Sequence, residues 1–230
     1  MKITNKKSFI ASLKKACKFI CKDKICLDHF KVVHLKKSDG KLFLYASDMF
    51  TVYRELIDSI TFDGDINISF DAKTMISFLQ DISCDIVNLE FKTVQEYIYD
   101  ENGCAIQNED GGYINTNRSY LYWQNVVYNS LGCHDCCEIP AQVSKLELDN
   151  IFPTRFSEEV EMSKDDIKKL IETGNFSLIK FVESTCMLNN IFLKNILSVL
   201  KNNISVQGNA YKPFLFSDGK IDILIAQARE

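Results

Sequence analysis

The chain has 230 residues, of which 46% are hydrophobic and 25% charged, a balance that supports a buried core and excludes a disordered polypeptide. Its net charge is only −4, and nine glycines and three prolines leave no linker-like or low-complexity tract. No apolar run reaches the ~18 residues of a membrane span, and no signal peptide is visible, so a cytoplasmic chain with reduced thiols and no membrane partner is expected.

The small net charge hides an uneven distribution. Residues 1–41 carry twelve lysines against Asp23, Asp28 and Asp39, whereas the rest of the chain is strongly acidic. The periodicity predicts a first helix over 6–24. At ~100° per residue, Lys7, Lys14, Lys15, Lys18 and Lys22 fall on one side, opposite Phe9, Leu13, Ala16, Cys17 and Ile20. A lysine stripe on an acidic protein concentrates phosphate affinity on one surface and repels polyanions elsewhere. A solvated helix face accounts for the same stripe when the helix is taken alone.

Strands are expected at Phe30–Lys36, Leu42–Ala46 and Thr51–Ile57, separated by Ser38-Asp39-Gly40 and Ser47-Asp48. Ile66, Ile68 and Phe70 alternate as a fourth strand, and Asp71 caps a helix over 72–82. Ile86–Lys92, Gln95–Tyr99 and Cys104–Asn108 are further strand candidates. The pattern of helix and strands is thus stated twice, which suits an α+β fold with helices on one face of antiparallel sheet. A first domain over 1–117 follows, and residues 118–157, with a short strand near Lys145–Leu148, make the expected interdomain connection.

A second domain is expected over 158–230. Glu159–Met162 forms a strand, and Ser163 with Asp166 has the form of a capping box opening a helix at Lys164–Glu172. Ser177–Glu183 reads as a strand and Ile191–Leu200 as a helix. Ile204–Gln207, Pro213–Phe216 and Ile221–Ala226 complete the chain as strands.

Catalysis has little support in the sequence: there is no Walker loop or dinucleotide fingerprint, and His29 and His34 flank a strand without a nucleophile motif. Cys133-x-x-Cys136, beside His134 and Cys137, has metal-knuckle spacing but lacks a second pair, so loop thiols without metal are expected, and no cofactor.

Four stretches together resemble the DNA sliding clamps, most closely the bacterial polymerase III beta-subunit family: FKVVHLKKSDGKLFLYASDMFTVYRELI after the first helix, DINISFDAKTMISFLQDISCDIVNLEF, FPTRFSEEVEMSKDDIKKLI and the C-terminal AYKPFLFSDGKIDILIAQAR. The resemblance implies the sliding-clamp fold repeated in two domains, where bacterial members have three. It departs from the family at Met49-Phe50-Thr51-Val52, where the family has G-H-R-L, and at Ala226-Gln227-Ala228-Arg229, where the family has M-P-x-R. Too few residues lie between the helices at 164–172 and 191–200 for the usual strands, so an abridged second domain is expected.

In such clamps the helices line the central hole. The resemblance therefore implies a processivity factor, not an enzyme, that encircles double-stranded DNA without reading sequence. Lys7, Lys14, Lys15, Lys18, Lys22, Lys73, Lys168, Lys169, Lys194 and Lys201 would face the phosphates. It also implies self-association into a ring, a homotrimer for two-domain chains. Its clients would be a polymerase or other client peptide docking near Asp48, Met49, Phe50, Ile225, Ala226, Gln227, Ala228 and Arg229. A clamp loader is a further candidate partner. The alternative is a clamp-fold interaction module that binds a protein and encircles nothing.

Overall fold

A computed structural model describes residues 1–125, 135–147, 151–152, 156–171, 175–201, 203–208 and 213–226. The elements run, in order, β1 (Lys2–Ile3), α1 (Lys6–Ala16), β2 (Val33–Ser38), β3 (Lys41–Ser47), β4 (Thr51–Leu56), β5 (Ile60–Thr61), β6 (Asn67–Phe70), α2 (Ala72–Asp81), β7 (Val87–Asn88), β8 (Glu90–Tyr97), β9 (Asn115–Asn125) and β10 (Asp135–Val143). They continue with β11 (Glu158–Ser163), α3 (Lys164–Ile171), β12 (Phe176–Lys180), β13 (Thr185–Asn189), α4 (Asn190–Leu197), β14 (Asn203–Gly208), β15 (Phe214–Ser217) and β16 (Ile221–Ile225). A short 3-10 turn at Asp28–Phe30 precedes β2.

Local chemistry sets the helix starts. Asn5 accepts the Ser8 N–H at 3.0 Å at the head of α1, and Asp71 accepts the Thr74 N–H at 2.7 Å at the head of α2. The capping box opening α3 is reciprocal: Ser163 N–H donates to Asp166 Oδ2 at 3.1 Å, and Asp166 N–H to Ser163 Oγ at 3.2 Å.

The first helix is shorter than its periodicity predicts. Cys17 N–H bonds to Leu13 O, after which Lys18 N–H to Lys15 O and Phe19 N–H to Ala16 O tighten the chain into a turn. In a continued helix Phe19 would sit at the border of the apolar and lysine faces. The turn instead buries it against Tyr53, with ring centroids 5.0 Å apart. Burying a phenylalanine is worth roughly 1.5–3 kcal/mol, and the turn keeps the Lys18 and Phe19 N–H groups bonded, so little hydrogen bonding is given up for it.

Eleven antiparallel strands form one sheet in the order β11-β14-β15-β16-β4-β3-β2-β6-β10-β9-β8. Two further sheets, β5-β1-β7 and β12-β13, are small. The stretch read as a connection therefore holds two long strands, β9 and β10, and β10 bonds back to β6. Lys145–Glu147 is not strand. β8 is one continuous strand where two are predicted, and residues 104–108 keep only isolated bridges. Where one strand is predicted over 177–183, two lie between α3 and α4.

A repeat is visible in the pairing. The strand before α1 pairs with the strand after α2, β1 with β7, and the strand after α1 pairs with the strand before α2, β2 with β6. The second unit repeats both relations, β11 with β14 and β12 with β13. It lacks counterparts of β3 and β4, since β12 ends only a few residues before β13 begins. One core cluster runs through both units, from Ile3 and Phe9 through Leu79 and Leu193 to Ile225.

The units join where β16 pairs with β4, from Ile221 opposite Glu55 to Ile225 opposite Thr51. Across this seam Arg54 donates to Asp222 Oδ2 from Nε at 3.0 Å and from a terminal nitrogen at 2.6 Å. Its guanidinium also lies 4.0 Å from the Phe152 ring centroid.

Candidate nucleic-acid and client-peptide sites

The lysines expected to face phosphate divide into three groups. Lys7 and Lys14 are exposed on α1, Lys73 on the first turn of α2, and Lys194 on α4. Lys18 and Lys22 are exposed but lie beyond the end of α1, and Lys201 follows α4. None of these seven has an ion-pair partner among the described residues. Lys168 and Lys169 on α3 are also exposed, each beside a carboxylate one turn back, Asp165 at 2.8 Å and Asp166 at 3.9 Å. Such surface pairs contribute little and leave both cations able to exchange partners.

Lys15 differs from its neighbours. Its Nζ reaches Glu55 Oε1 at 2.6 Å, and the Glu55 side chain is only 1% exposed. Tyr53 donates its hydroxyl to the other carboxylate oxygen at 2.5 Å, and burial with the neighbouring Glu55 carboxylate pushes the Tyr53 phenol far up. Lys15 is thus the counter-ion of a buried carboxylate on β4 and is engaged in holding α1 to the sheet. Helical spacing placed it among the lysines; only the tertiary structure supplies Glu55, forty residues away.

The folding of 17–31 creates a cleft of about 410 Å³ between the end of α1 and the start of α2. Lys22 and Lys73 line it together with Lys24, Lys31 and the acids Asp23 and Asp71. Helical spacing does not pick out Lys24 and Lys31, which reach the cleft only through the fold of 17–31. Lys31 is committed to the Lys24 carbonyl at 3.0 Å and to Asp28 at 3.2 Å, so it braces the cleft wall. The lysine density of 1–41 was the available signal.

The two halves of the expected client site do come together. Pairing of β16 with β4 places Ile225 opposite Thr51, and Ala226 N–H donates to Phe50 O at 2.9 Å. Asp48 builds the loop: its Oδ1 accepts from Phe50 N–H, Thr51 N–H at 2.7 Å and Thr51 Oγ1 at 2.6 Å. Met49 is held at φ +79°, a left-handed conformation that L side chains rarely adopt. Met49 and Phe50 are 59% and 60% exposed. Ile225 is fully buried, so it supports the loop from beneath and does not line an open groove. Gln227, Ala228 and Arg229 lie outside the described residues.

The start of α4 adds two residues that the sequence reading did not include. Ile191 is exposed, and the Phe192 ring lies 6.4 Å from that of Phe50. Phe50 with Phe192, each next in sequence to an exposed apolar residue, Met49 and Ile191, thus makes an apolar patch at the seam between the units. An aliphatic residue at the first exposed turn of a helix was the only hint in the sequence.

Cys136 and Cys137 sit on β10, and burial raises the Cys137 thiol above its ordinary value. Cys133 and His134 lie outside the described residues. Among the described residues no group of three or more His, Cys, Asp or Glu side chains is placed to hold a metal ion.

No protein-family model matches the chain by sequence, and no curated protein does. Solved structures do. The chain superposes over its whole length on the Helicobacter pylori beta clamp in complex with 5-chloroisatin, with a TM-score of 0.67 and 14% identity. It does so also on the Helicobacter pylori beta clamp bound to a DNA ligase peptide, with a TM-score of 0.65 and 14% identity, covering 67% of that chain. Over 98% of its length it superposes on the DNA polymerase III beta chain of Streptococcus pneumoniae, with a TM-score of 0.68 and 10% identity. The chain spans 64% of the first of these clamps and 64% of the last. Its fold is that of the sliding clamps, as the resemblance implies.

Proposed function

We propose that this chain, which has the sliding-clamp fold, works as a clamp-like processivity factor that encircles duplex DNA and tethers a polymerase or other client. The observation that carries the reading is the match of the whole chain to bacterial beta clamps. Exposed lysines on α1, α2, α3 and α4 support it, because long flexible cations neutralise phosphates without reading bases and so permit sliding. In this reading Lys7, Lys14, Lys18, Lys22, Lys73, Lys168, Lys169, Lys194 and Lys201 face DNA. Lys15 is reassigned to the fold, and no catalytic role is assigned to any residue. Closure takes one heterologous contact repeated around a ring, with three two-unit chains as the expected count.

Client binding is assigned to the seam patch of Met49, Phe50, Ile191 and Phe192, next to Ala226. The precedent is the Helicobacter pylori clamp bound to a DNA ligase peptide.

The second reading, a clamp-fold module that binds protein and encircles nothing, is favoured by the absence of counterparts to β3 and β4 beside β12. Light scattering separates the two, since a ring requires an oligomer and a strict monomer at high concentration removes it. Retention on nicked circular duplex, with loss after linearisation, tests encirclement itself. Lys14→Glu with Lys18→Glu is expected to weaken DNA association about tenfold or more at low salt and to flatten its salt dependence.

A further inference from the structure

The β8–β9 hairpin ends in a small unit, residues 97–114, that contributes nothing to the core. Its backbone closes on itself: Ile98 N–H donates to Ile114 O at 3.0 Å, Ile114 N–H to Ile106 O at 2.9 Å, and Ile106 N–H to Ile98 O at 2.8 Å. Two tight turns complete it. In the first, Asp100 Oδ1 accepts the N–H groups of Asn102 and Cys104, which hold its carboxyl below the usual range. In the second, Asn108 Oδ1 accepts from Gly112 N–H at 2.7 Å. Gly103 and Gly111 take the positive φ that these turns require. The unit is therefore a built structure with its own hydrogen-bond closure.

What it carries is unusual for a surface. Tyr97, Ile98, Tyr99, Ile106, Tyr113 and Ile114 are 36–58% exposed, and the Tyr97 and Tyr113 rings meet edge to face at 5.3 Å. Residues 93–117 contain five acids and no lysine or arginine. Glu96 is paired with Arg118 at 2.9 Å, and Asp100 is taken up by its turn. Glu101, Glu109 and Asp110 remain exposed around the turns. Clustered exposed aromatic and aliphatic side chains mark association surfaces, and tyrosine is enriched where proteins meet. Negative charge without a single cation repels nucleic acid, so the occupant is a protein.

We propose that this unit is a docking surface for a partner-protein segment that carries lysine or arginine beside aliphatic side chains. Apolar contact with Tyr97, Tyr99 and Tyr113, which strand alternation puts on the face opposite Ile98, Ile106 and Ile114, supplies the area, and Glu101, Glu109 and Asp110 select the cationic partner. The surface is separate from the seam patch and from the lysine face, so the proposal stands independently of DNA encirclement.

The test uses the full chain and a fluorescein-labelled peptide alternating lysine with leucine, read by anisotropy. The controls replace every lysine by glutamate or every leucine by serine. Saturable, salt-sensitive binding of the lysine–leucine peptide alone is expected. It should fall about tenfold or more in the Glu101→Lys/Glu109→Lys/Asp110→Lys variant and in Tyr99→Ser, which keeps the backbone cycle, and should be unchanged in Lys14→Glu/Lys18→Glu. Equal binding by the charge-reversed variant would overturn the proposal, as would no saturable binding or preference for duplex DNA. Self-association that Tyr99→Ser abolishes would also overturn it, by making a second copy the occupant.

Discussion

The strand after the first helix of each unit occupies the same place in the repeat, yet the two strands are treated differently. In β2, flanked by β3 and β6, Val33, His34 and Leu35 are all buried. In β12, which among the described residues pairs only with β13, Ser177 and Ile179 are buried while Phe176 and Leu178 stand 49% and 53% exposed. Equivalent pairing thus produces a strand covered on both faces in one unit and on one face in the other. The second unit has the bonded edge without the lateral and outer cover.

Truncating one side chain in each strand measures the difference between them. Leu35→Ala removes a buried leucine from a packed site and is expected to cost about 2–5 kcal/mol, whereas Leu178→Ala should fall within about 0.5 kcal/mol. Urea unfolding of the two variants checks this. A cost for Leu178→Ala comparable to that of Leu35→Ala, in a chain that light scattering finds oligomeric, would place a neighbouring subunit against β12.

A second difference concerns protons. The His34 imidazole, on the outer face of β2, is closed in by Ser144 Oγ at 2.8 Å on Nδ1 and by the His29 carbonyl at 2.8 Å on Nε2. No histidine stands on β12. Burial holds His34 below its ordinary value. The unfolded chain therefore takes up a proton here at a pH where the folded chain does not. Its contribution to stability is whole above about pH 6.5 and is lost as pH falls from there toward the depressed folded value. His34→Gln keeps a donor toward the His29 carbonyl and removes the titration. Measured by chemical denaturation at pH 7 and pH 5, it should lower stability at pH 7 and narrow the difference between the two pH values. An unchanged difference would show that His34 is not the acid-sensitive group.

Much of the comparison was legible in the sequence, and the illegible parts share a cause. Strands set by alternation and turn residues, such as Leu42–Ala46 before Ser47-Asp48, could be read locally, as could the caps at Asp71 and Ser163. The end of α1 could not, because it depends on Tyr53 receiving Phe19. Nor could the role of Lys15, because Glu55 lies across the fold. Strands β9 and β10 do not show the alternation that marks a strand: Tyr120 to Trp123 is an unbroken apolar run in β9, and Pro140 and the cysteines of 133–137 interrupt β10. In the candidate sites the same division holds. The lysines of α1 could be picked out by spacing, whereas Ile191 and Phe192 join Phe50 only through the seam of β16 and β4.

That seam gives the finest test, because one residue there carries both a cost and an exposed side chain. Met49 sits at φ +79° in a loop whose other bonds are satisfied, with Asp48 accepting from Phe50 and Thr51, and Met49 N–H donating to Ser47 Oγ at 3.3 Å. A left-handed backbone costs an L residue roughly 1–2 kcal/mol relative to glycine. Gly has greater freedom in the unfolded chain, which offsets part of the gain. Met49→Gly is therefore expected to stabilise the chain modestly, by about 0.5–1 kcal/mol in thermal or urea unfolding. The same change removes a side chain that is 59% exposed beside Phe50. If the seam patch takes client peptide, affinity should fall several-fold while stability rises, the opposite of what a folding defect would produce. A gain in stability with unchanged client affinity would leave the strain at Met49 without a part in binding and would move the client site elsewhere on the seam.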